Sequence, residues 1–192
     1  NVWTNGVAGK LGVSGTGILN LGGSFTTADT AALTRSGGTL NIVGVLNNSG
    51  PTLALTPATG SWNLAGGTIA GGTISDTGGA LLVIGPSLTG NLGTLSGVTI
   101  PLGSTLDASQ YNAGLIVTGG LTLNGTLDLG AANGSTTGTF IFQGTQTLGG
   151  SGTVLLGASF GNTLRAQGTN NDTTPATLTI GSGITINADA GG

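Results

Sequence analysis

Asp107 and Asp128 are the residues of this 192-residue chain whose types and spacing come closest to chemistry. Each ends a Thr-Leu-Asp triplet, Thr105-Leu106-Asp107 and Thr126-Leu127-Asp128. On neighbouring strands the two carboxylates would stand about 5 Å apart on one face. Such a pair serves glycoside cleavage, or supplies part of the oxygen shell of a Ca²⁺ ion. The rest of either apparatus is missing. Lys10, Arg35 and Arg165 face only six aspartates, and the chain has no Glu, His, Cys or Met. Without His or Cys, neither a Ser-His-Asp nor a thiol nucleophile can be assembled. Lys10 reads as a lone exposed lysine, and no basic or aromatic platform adjoins the Asp pair. Asp107 and Asp128 therefore read as outward, solvated carboxylates, and the chain as no enzyme. The Gly-Gly-x-Gly-x-Asp nonapeptide of calcium-binding β-rolls is absent, and Asp76 and Asp172 stand apart from the pair. No catalytic, cofactor-binding or metal-ligating residue is assigned. Gly149-Gly150-Ser151-Gly152 has neither the Lys nor the following helix of a phosphate loop and reads as a turn.

Composition narrows the rest. Charged residues are 5% of the chain and hydrophobic ones 37%, the reverse of a disordered sequence. Its 41 glycines lack the strict third-position period of collagen. Three basic residues cannot track a phosphate backbone, which speaks against nucleic acid. The longest apolar run, Ala80-Leu81-Leu82-Val83-Ile84, falls far short of the roughly 20 residues of a spanning helix. The short strands and sparse aromatics do not suit a membrane barrel either. The start, Asn1-Val2-Trp3-Thr4-Asn5, lacks the basic flank and apolar stretch of a signal peptide. The expectation is a mature product, or a piece of something longer.

What does organise the chain is a repeat. Apolar-x-apolar triplets centre on residues 20, 41, 63, 82, 99, 122, 141 and 179, about 20 residues apart, with a weak member near Phe160. A Gly follows each centre (Gly22, Gly44, Gly66, Gly85, Gly103, Gly125, Gly144, Gly183). A second strand then begins, marked by Phe25, Leu46, Ile69, Leu88, Leu106, Leu127, Leu148 and Ile184-Thr185-Ile186. A less regular third segment includes Leu33, Leu53-Ala54-Leu55, Ile74, Leu95 and Leu115-Ile116-Val117. Alternation at period two is the signature of a strand with one buried face. Helices are nearly excluded, because almost every window of helical length holds a Gly, at about 1 kcal/mol each against Ala. The Gly-free stretch from Ser24 to Ser36 has room for one helical turn, though its Thr content weighs against it.

The predicted fold is all-β: a single parallel β-solenoid over residues 1–192, about 20 residues per coil and roughly nine coils. Leu40, Ile42, Leu53, Leu55, Leu121, Leu123 and Ile180 should point inside. Asn20, Asn41 and Asn63 should lie one above another, either as an amide ladder or simply as outward polar positions. Thr122, Thr126, Thr177 and Thr179 raise ice binding, but no Thr-x-Thr column repeats in every coil.

Three stretches carry a resemblance: Gly60-Ser61-Trp62-Asn63-Leu64-Ala65-Gly66-Gly67-Thr68-Ile69-Ala70-Gly71-Gly72-Thr73-Ile74, Gly119-Gly120-Leu121-Thr122-Leu123-Asn124-Gly125-Thr126-Leu127 and Gly144-Thr145-Gln146-Thr147-Leu148-Gly149-Gly150-Ser151-Gly152-Thr153-Val154. The chain resembles the tandem β-helix modules of very large bacterial surface or secreted proteins, akin to autotransporter passengers and filamentous haemagglutinin-like adhesins. The resemblance covers almost the whole chain, to the closing Thr177-Leu178-Thr179-Ile180-Gly181-Ser182-Gly183-Ile184. It implies an extracellular or cell-surface location, a stalk or fibre role and no catalytic residues. The alternative is a binding module for glycans or another surface, with Ala108 to Gly114 around Tyr111, then Asn162 to Thr174, as its loops. Neither the Asn1–Asn5 end nor Ile184–Asn187 carries a charge cluster, Pro or amphipathic helix as a cap, so self-association through the terminal coils is expected.

Overall fold

In the computed structural model, which describes residues 1–169 and 172–188, the alternation becomes strand geometry. Within Leu33–Ile42, Leu40 and Ile42 are wholly buried, and within Thr52–Leu55 it is Leu53 and Leu55 that turn inward. The strands stack in parallel into a β-solenoid of about seven turns. At about 4.8 Å per coil the stack is about 34 Å long. Among the described residues there is one 3₁₀ turn, Ala28–Thr30, inside the Gly-free stretch where Thr content weighed against one. A side chain explains it: the Asp29 carboxylate accepts the Thr26 backbone N–H and hydroxyl, at 2.8 and 2.7 Å, and locks the corner.

From the second coil on, each coil contributes a strand to each of three faces. The first face is an eight-stranded sheet: Leu11–Leu21, Leu33–Ile42, Trp62–Leu64, Leu82–Ile84, Thr105–Ala108, Thr126–Leu129, Thr153–Leu156 and Thr185–Ala188. The other two faces are the halves of one bent eleven-stranded sheet. Its first half holds Ser24–Thr26, Val45–Asn47, Thr68–Ala70, Gly138–Gln143 and Thr163–Gln167; its second holds Thr52–Leu55, Thr73–Asp76, Gln146–Gly149 and Leu178–Ile180. Gly93–Ile100 and Ala113–Leu123 run through both halves, with a register break between Ser96 and Val98. Gly97 and Gly119 sit at that bend with φ of 62° and 65°, a conformation an L side chain rarely adopts. At the corner between the first and second faces, a Cβ on Gly44 would lie 2.1 Å from the Gly23 carbonyl oxygen, so two coils meet there backbone to backbone.

The core is one continuous stack of buried aliphatic and aromatic side chains running the length of the rod, from Leu21 and Phe25 to Leu148 and Val154. Trp62 belongs to it, and its indole N–H is a buried donor with no acceptor among the described residues.

The faces correct the phase of the repeat. Val98-Thr99-Ile100 and Leu121-Thr122-Leu123 pair with each other on the third face, and Phe140-Ile141-Phe142 lies on the second, against Leu115-Ile116-Val117. The true successors of Leu40-Asn41-Ile42 and Trp62-Asn63-Leu64 are Leu82-Val83-Ile84, Leu106-Asp107-Ala108 and Leu127-Asp128-Leu129. The cause is corner length. Only two residues join the first face to the second after Leu21, but eight do so after Ile84 and eight after Leu129. A count at constant spacing therefore slips onto the wrong face. Successive first-face strands stand 21 residues apart between Asn20 and Asn41 but 32 apart between Leu155 and Asn187. The same insertions displace Leu88, expected on a strand, into a corner loop where it is 57% exposed, and Phe160 into another. Ile180 stacks on buried Leu148 as an interior residue should, yet it is 39% exposed, because no described coil lies above it.

Leu123 is fully buried while its neighbour Thr122 points to solvent. Leu123→Ala is expected to lower the unfolding free energy by about 2–5 kcal/mol and Thr122→Ala to leave it nearly unchanged, as read from urea unfolding curves. Equal losses in the two variants would reverse the assignment of inside and outside.

Candidate functional site

The outward residues of the first face form two columns. One runs Asn20, Asn41, Asn63, Val83, Asp107, Asp128, Leu155, Asn187. The other carries Thr105, Thr126, Thr153 and Thr185 in its later coils. In the first column the Asn41 side-chain N–H₂ donates to Asn20 Oδ1 at 2.8 Å, and Asn63 donates to Asn41 Oδ1 at 2.9 Å. The three stacked asparagines are thus a bonded amide ladder. Asn41, satisfied from both sides, is buried although it points outward.

Asp107 and Asp128 are register partners on adjacent strands, as their matching triplets implied. Their surroundings differ. Asp107 Oδ1 accepts the backbone N–H of Ser109 at 2.8 Å and is held in a turn. The carboxylate of Asp128 is half-buried and has no hydrogen bond among the described residues. Burial first, and the neighbouring Asp107 charge second, push its pKa above the usual carboxylate range. Asp128 is therefore not the freely solvated group that its sequence context suggests.

What buries it is a groove of about 590 Å³ on the rod's flank, lined by Ser109, Asp128, Asn133, Ser135, Leu155 and Gly157 among others. Its walls are two corner loops, residues 130–137 and 157–162, which bulge out between the first and second faces. The first is tied down by Thr136, whose hydroxyl donates to the Ser109 carbonyl at 2.6 Å and accepts the Ala131 N–H at 2.9 Å. The second is braced by Asn162, which accepts the Gly138 N–H at 3.0 Å and donates to the Gly157 carbonyl at 2.8 Å. The loops touch: a Cβ on Gly134 would meet Ala158 at 3.4 Å. A smaller groove of about 210 Å³ lies beside the amide ladder, between Asn41, Asn63, Val83 and the loop bearing Pro86 and Leu88.

The remaining polar candidates are spent on structure. Asp76 Oδ2 accepts the Thr105 N–H at 2.7 Å, while burial pushes its pKa upward against that bond. Asp172 pairs with Arg165 at 3.1 Å and accepts the Gly168 N–H, closing the arm that ends in the Thr169–Thr174 bridge. Such an exposed ion pair is worth about 0–1 kcal/mol. Arg35 donates to the carbonyls of Gly37, Gly38, Thr59 and Ser61, joining two coils. Lys10 is exposed. Thr122 and Thr126 fall on different faces. Among the described residues no three acidic side chains converge.

Three polar residues escaped the sequence reading: Asp29, Asn48 and Gln146. Asp29 is nearly inaccessible yet peripheral, so hydrogen bonds from Thr26 and the Asn5 backbone, rather than desolvation, set its pKa, and they lower it. Asn48, fully buried, donates to the carbonyls of Gly71 and Thr73 and accepts the Thr27 hydroxyl. Gln146 donates to Val117 and Gln143 and accepts the Gly120 N–H. Asn48 and Gln146 play the same part, since each satisfies backbone groups freed where the strands bend at a corner. The cue to Asn48 and Gln146 in the sequence is an amide residue that directly follows one strand or opens the next at that corner.

No family model, curated protein or solved structure matches the chain.

The raised pKa of Asp128 has a definite sign in stability. Between the ordinary carboxylate range, near pH 4, and its higher folded value, the folded state holds the Asp128 proton more tightly than the unfolded state. Stability from this group is therefore lost as pH rises through that window. Asp128→Asn is expected to unfold at higher urea concentration than the parent at pH 7, with the difference shrinking as pH falls below 4. A variant less stable than the parent at pH 7 would show that Asp128 has a stabilising partner.

Proposed function

We propose that the chain is a structural β-solenoid of the bacterial cell exterior, a module of a giant surface protein or the subunit of an extracellular fibre, stacking end to end through its terminal coils. The observation that carries this reading is the open interior at the C-terminal coil. Ile186 stacks on buried Val154 and Ile180 on buried Leu148, so both occupy core columns, yet both are 39% exposed. Covering such residues is worth about 1.5–3 kcal/mol each. Among the described residues the strand Thr185–Ala188 also presents an unpaired edge, and Leu11–Leu21 does so at the opposite end of the same sheet. Leu19 there begins the column that Ile186 ends, and Leu21 begins the one that Ala188 ends. At that end Trp3 closes part of the core, stacked on Phe25 at 4.8 Å with its indole N–H on the Gly22 carbonyl. An edge matched to an edge and a column to a column is the geometry of head-to-tail growth. The extracellular and bacterial setting rests on the sequence resemblance, and it suits a Cys-free, charge-poor rod.

The isolated chain is expected to elongate into end-to-end assemblies as its concentration rises, seen by light scattering and electron microscopy. Lys or Pro introduced within Ile184–Asn187 should suppress growth. A parent chain that stays monomeric at millimolar concentration would end the stacking reading.

The same reading makes the rod catalytically inert. Incubation with pectin, alginate or peptidoglycan fragments is expected to release no products by chromatography. Turnover that disappears in Asp107→Asn or Asp128→Asn would make the carboxylate pair an active site.

A further inference from the structure

The chain has seven aromatic residues, and their distribution is uneven. Phe25, Trp62, Phe140 and Phe142 are buried in the core, and Trp3 packs against it. The two others, Tyr111 and Phe160, are 71% and 105% exposed. Both sit on loops of one corner, the turn from the first face to the second, and so does exposed Leu88. That corner is two or three residues long in the first coils and lengthens to eight, four, eight and six from Gly85 onward. Three of these loops contribute residues to the Asp128 groove, with Tyr111 and Phe160 themselves outside its lining. Ser109, two residues before Tyr111, lines it and is bonded to Thr136 of the facing loop. Gly157 lines it on the loop that carries Phe160.

A rod that needed only to stack would gain nothing from long corners or solvated aromatic rings. An aromatic ring in water exposes apolar area with no return unless something covers it. The groove's size falls within the range of small-ligand sites. Its polar lining is one carboxylate without a hydrogen-bond donor, one amide and two serine residues, with Leu155 and backbone glycine as apolar floor. No cation lines it, so an anionic ligand would meet Asp128 and Asp107 with nothing to offset the repulsion.

We infer that this groove binds a neutral oligosaccharide, with Asp128 accepting hydrogen bonds from sugar hydroxyls and Tyr111 and Phe160 covering the apolar faces of the sugar rings at its two ends. Hydroxyl pairs supply the donors that the Asp128 carboxylate lacks, and a bond to an ionised acceptor is about twice as strong as a neutral one. Ring C–H faces supply what the two aromatics lack. The two loops stand two coils apart along the rod, about 10 Å, which asks for a chain of sugars rather than one. This inference rests on the solenoid fold and on the flank of the rod, not on end stacking, so either can fail without the other.

The test is titration calorimetry of the soluble chain against neutral hexasaccharides of α- and β-linked glucose, mannose, galactose and xylose, with a glucosamine hexamer and a galacturonate hexamer as charged comparators. At least one neutral hexamer is expected to bind. Asp128→Ala should weaken it tenfold or more, and Tyr111→Ala and Phe160→Ala threefold or more each. Leu102→Ala, at an exposed position outside this corner, should leave affinity unchanged. The aromatic positions are solvent-exposed, so folding is retained, and circular dichroism melts verify it for every variant. Binding by none of the neutral hexamers overturns the inference. So does binding that is equal in the parent and all three groove variants, or binding confined to the glucosamine hexamer, which would mark simple carboxylate–ammonium pairing.

Discussion

Coil-on-coil stacking in strict parallel register is the constraint on which everything else in this molecule rests. Because side chains alternate along a strand, an inward residue in one coil must lie over an inward residue in the next, or the column breaks. Leu40, Trp62, Leu82, Leu106, Leu127 and Val154 obey this down the first face, as Phe25, Leu46, Ile69, Leu95, Val117 and Phe142 do down the second. Each coil has too little apolar surface to hold itself together. The core is a property of the stack, and the last described coil shows the consequence in the exposure of Ile180 and Ile186.

The corners are where the constraint is relaxed. A backbone that has turned out of the sheet owes no hydrogen bond to the next coil, provided its own polar groups are met, so residues can be added there without disturbing the columns. Asn48 and Gln146 meet them at one corner, and Thr136 and Asn162 at another. This separation of duties leaves the faces regular and lets one flank carry variable loops. It also sets what could be read from the sequence. The solenoid class, its three-strand coil and the inward residues Leu40, Ile42, Leu53, Leu55, Leu121 and Leu123 were legible, because alternation is local. The coil count and the face to which each triplet belongs were not. Phase is a sum over corner lengths, and Gly85 to Leu92 looks no different in composition from a strand and its turn.

The candidate site divides along the same line. Adjacency of Asp107 and Asp128 was legible, since the corners between their triplets keep near the mean repeat and Thr-Leu-Asp recurs intact. The groove was not. It is made by loops 130–137 and 157–162, whose contact depends on two successive corners bulging the same way. Nor was it legible that the aspartates continue the asparagine column, because the count had already slipped one face by Val98. The loop bearing Tyr111 was legible as a candidate recognition element, whereas the one bearing Phe160 read only as a weak strand, and it is their shared edge of the rod that gives them a common surface.

The change from amide to carboxylate along that one column has a physical meaning. An amide is donor and acceptor at once, so Asn20, Asn41 and Asn63 satisfy one another and the face closes on itself, burying Asn41. A carboxylate only accepts. Two of them stacked cannot bond to each other, and each raises the cost of the other's charge. Asp107 resolves this by taking the Ser109 N–H from its own turn. Asp128 has no such partner among the described residues, and burial in the groove denies it part of the water that would serve instead. The same backbone position thus yields a self-sufficient surface at one end of the rod and an unsatisfied one toward the other. The difference of one side-chain group, NH₂ against O⁻, is what gives an otherwise repetitive rod a distinct flank.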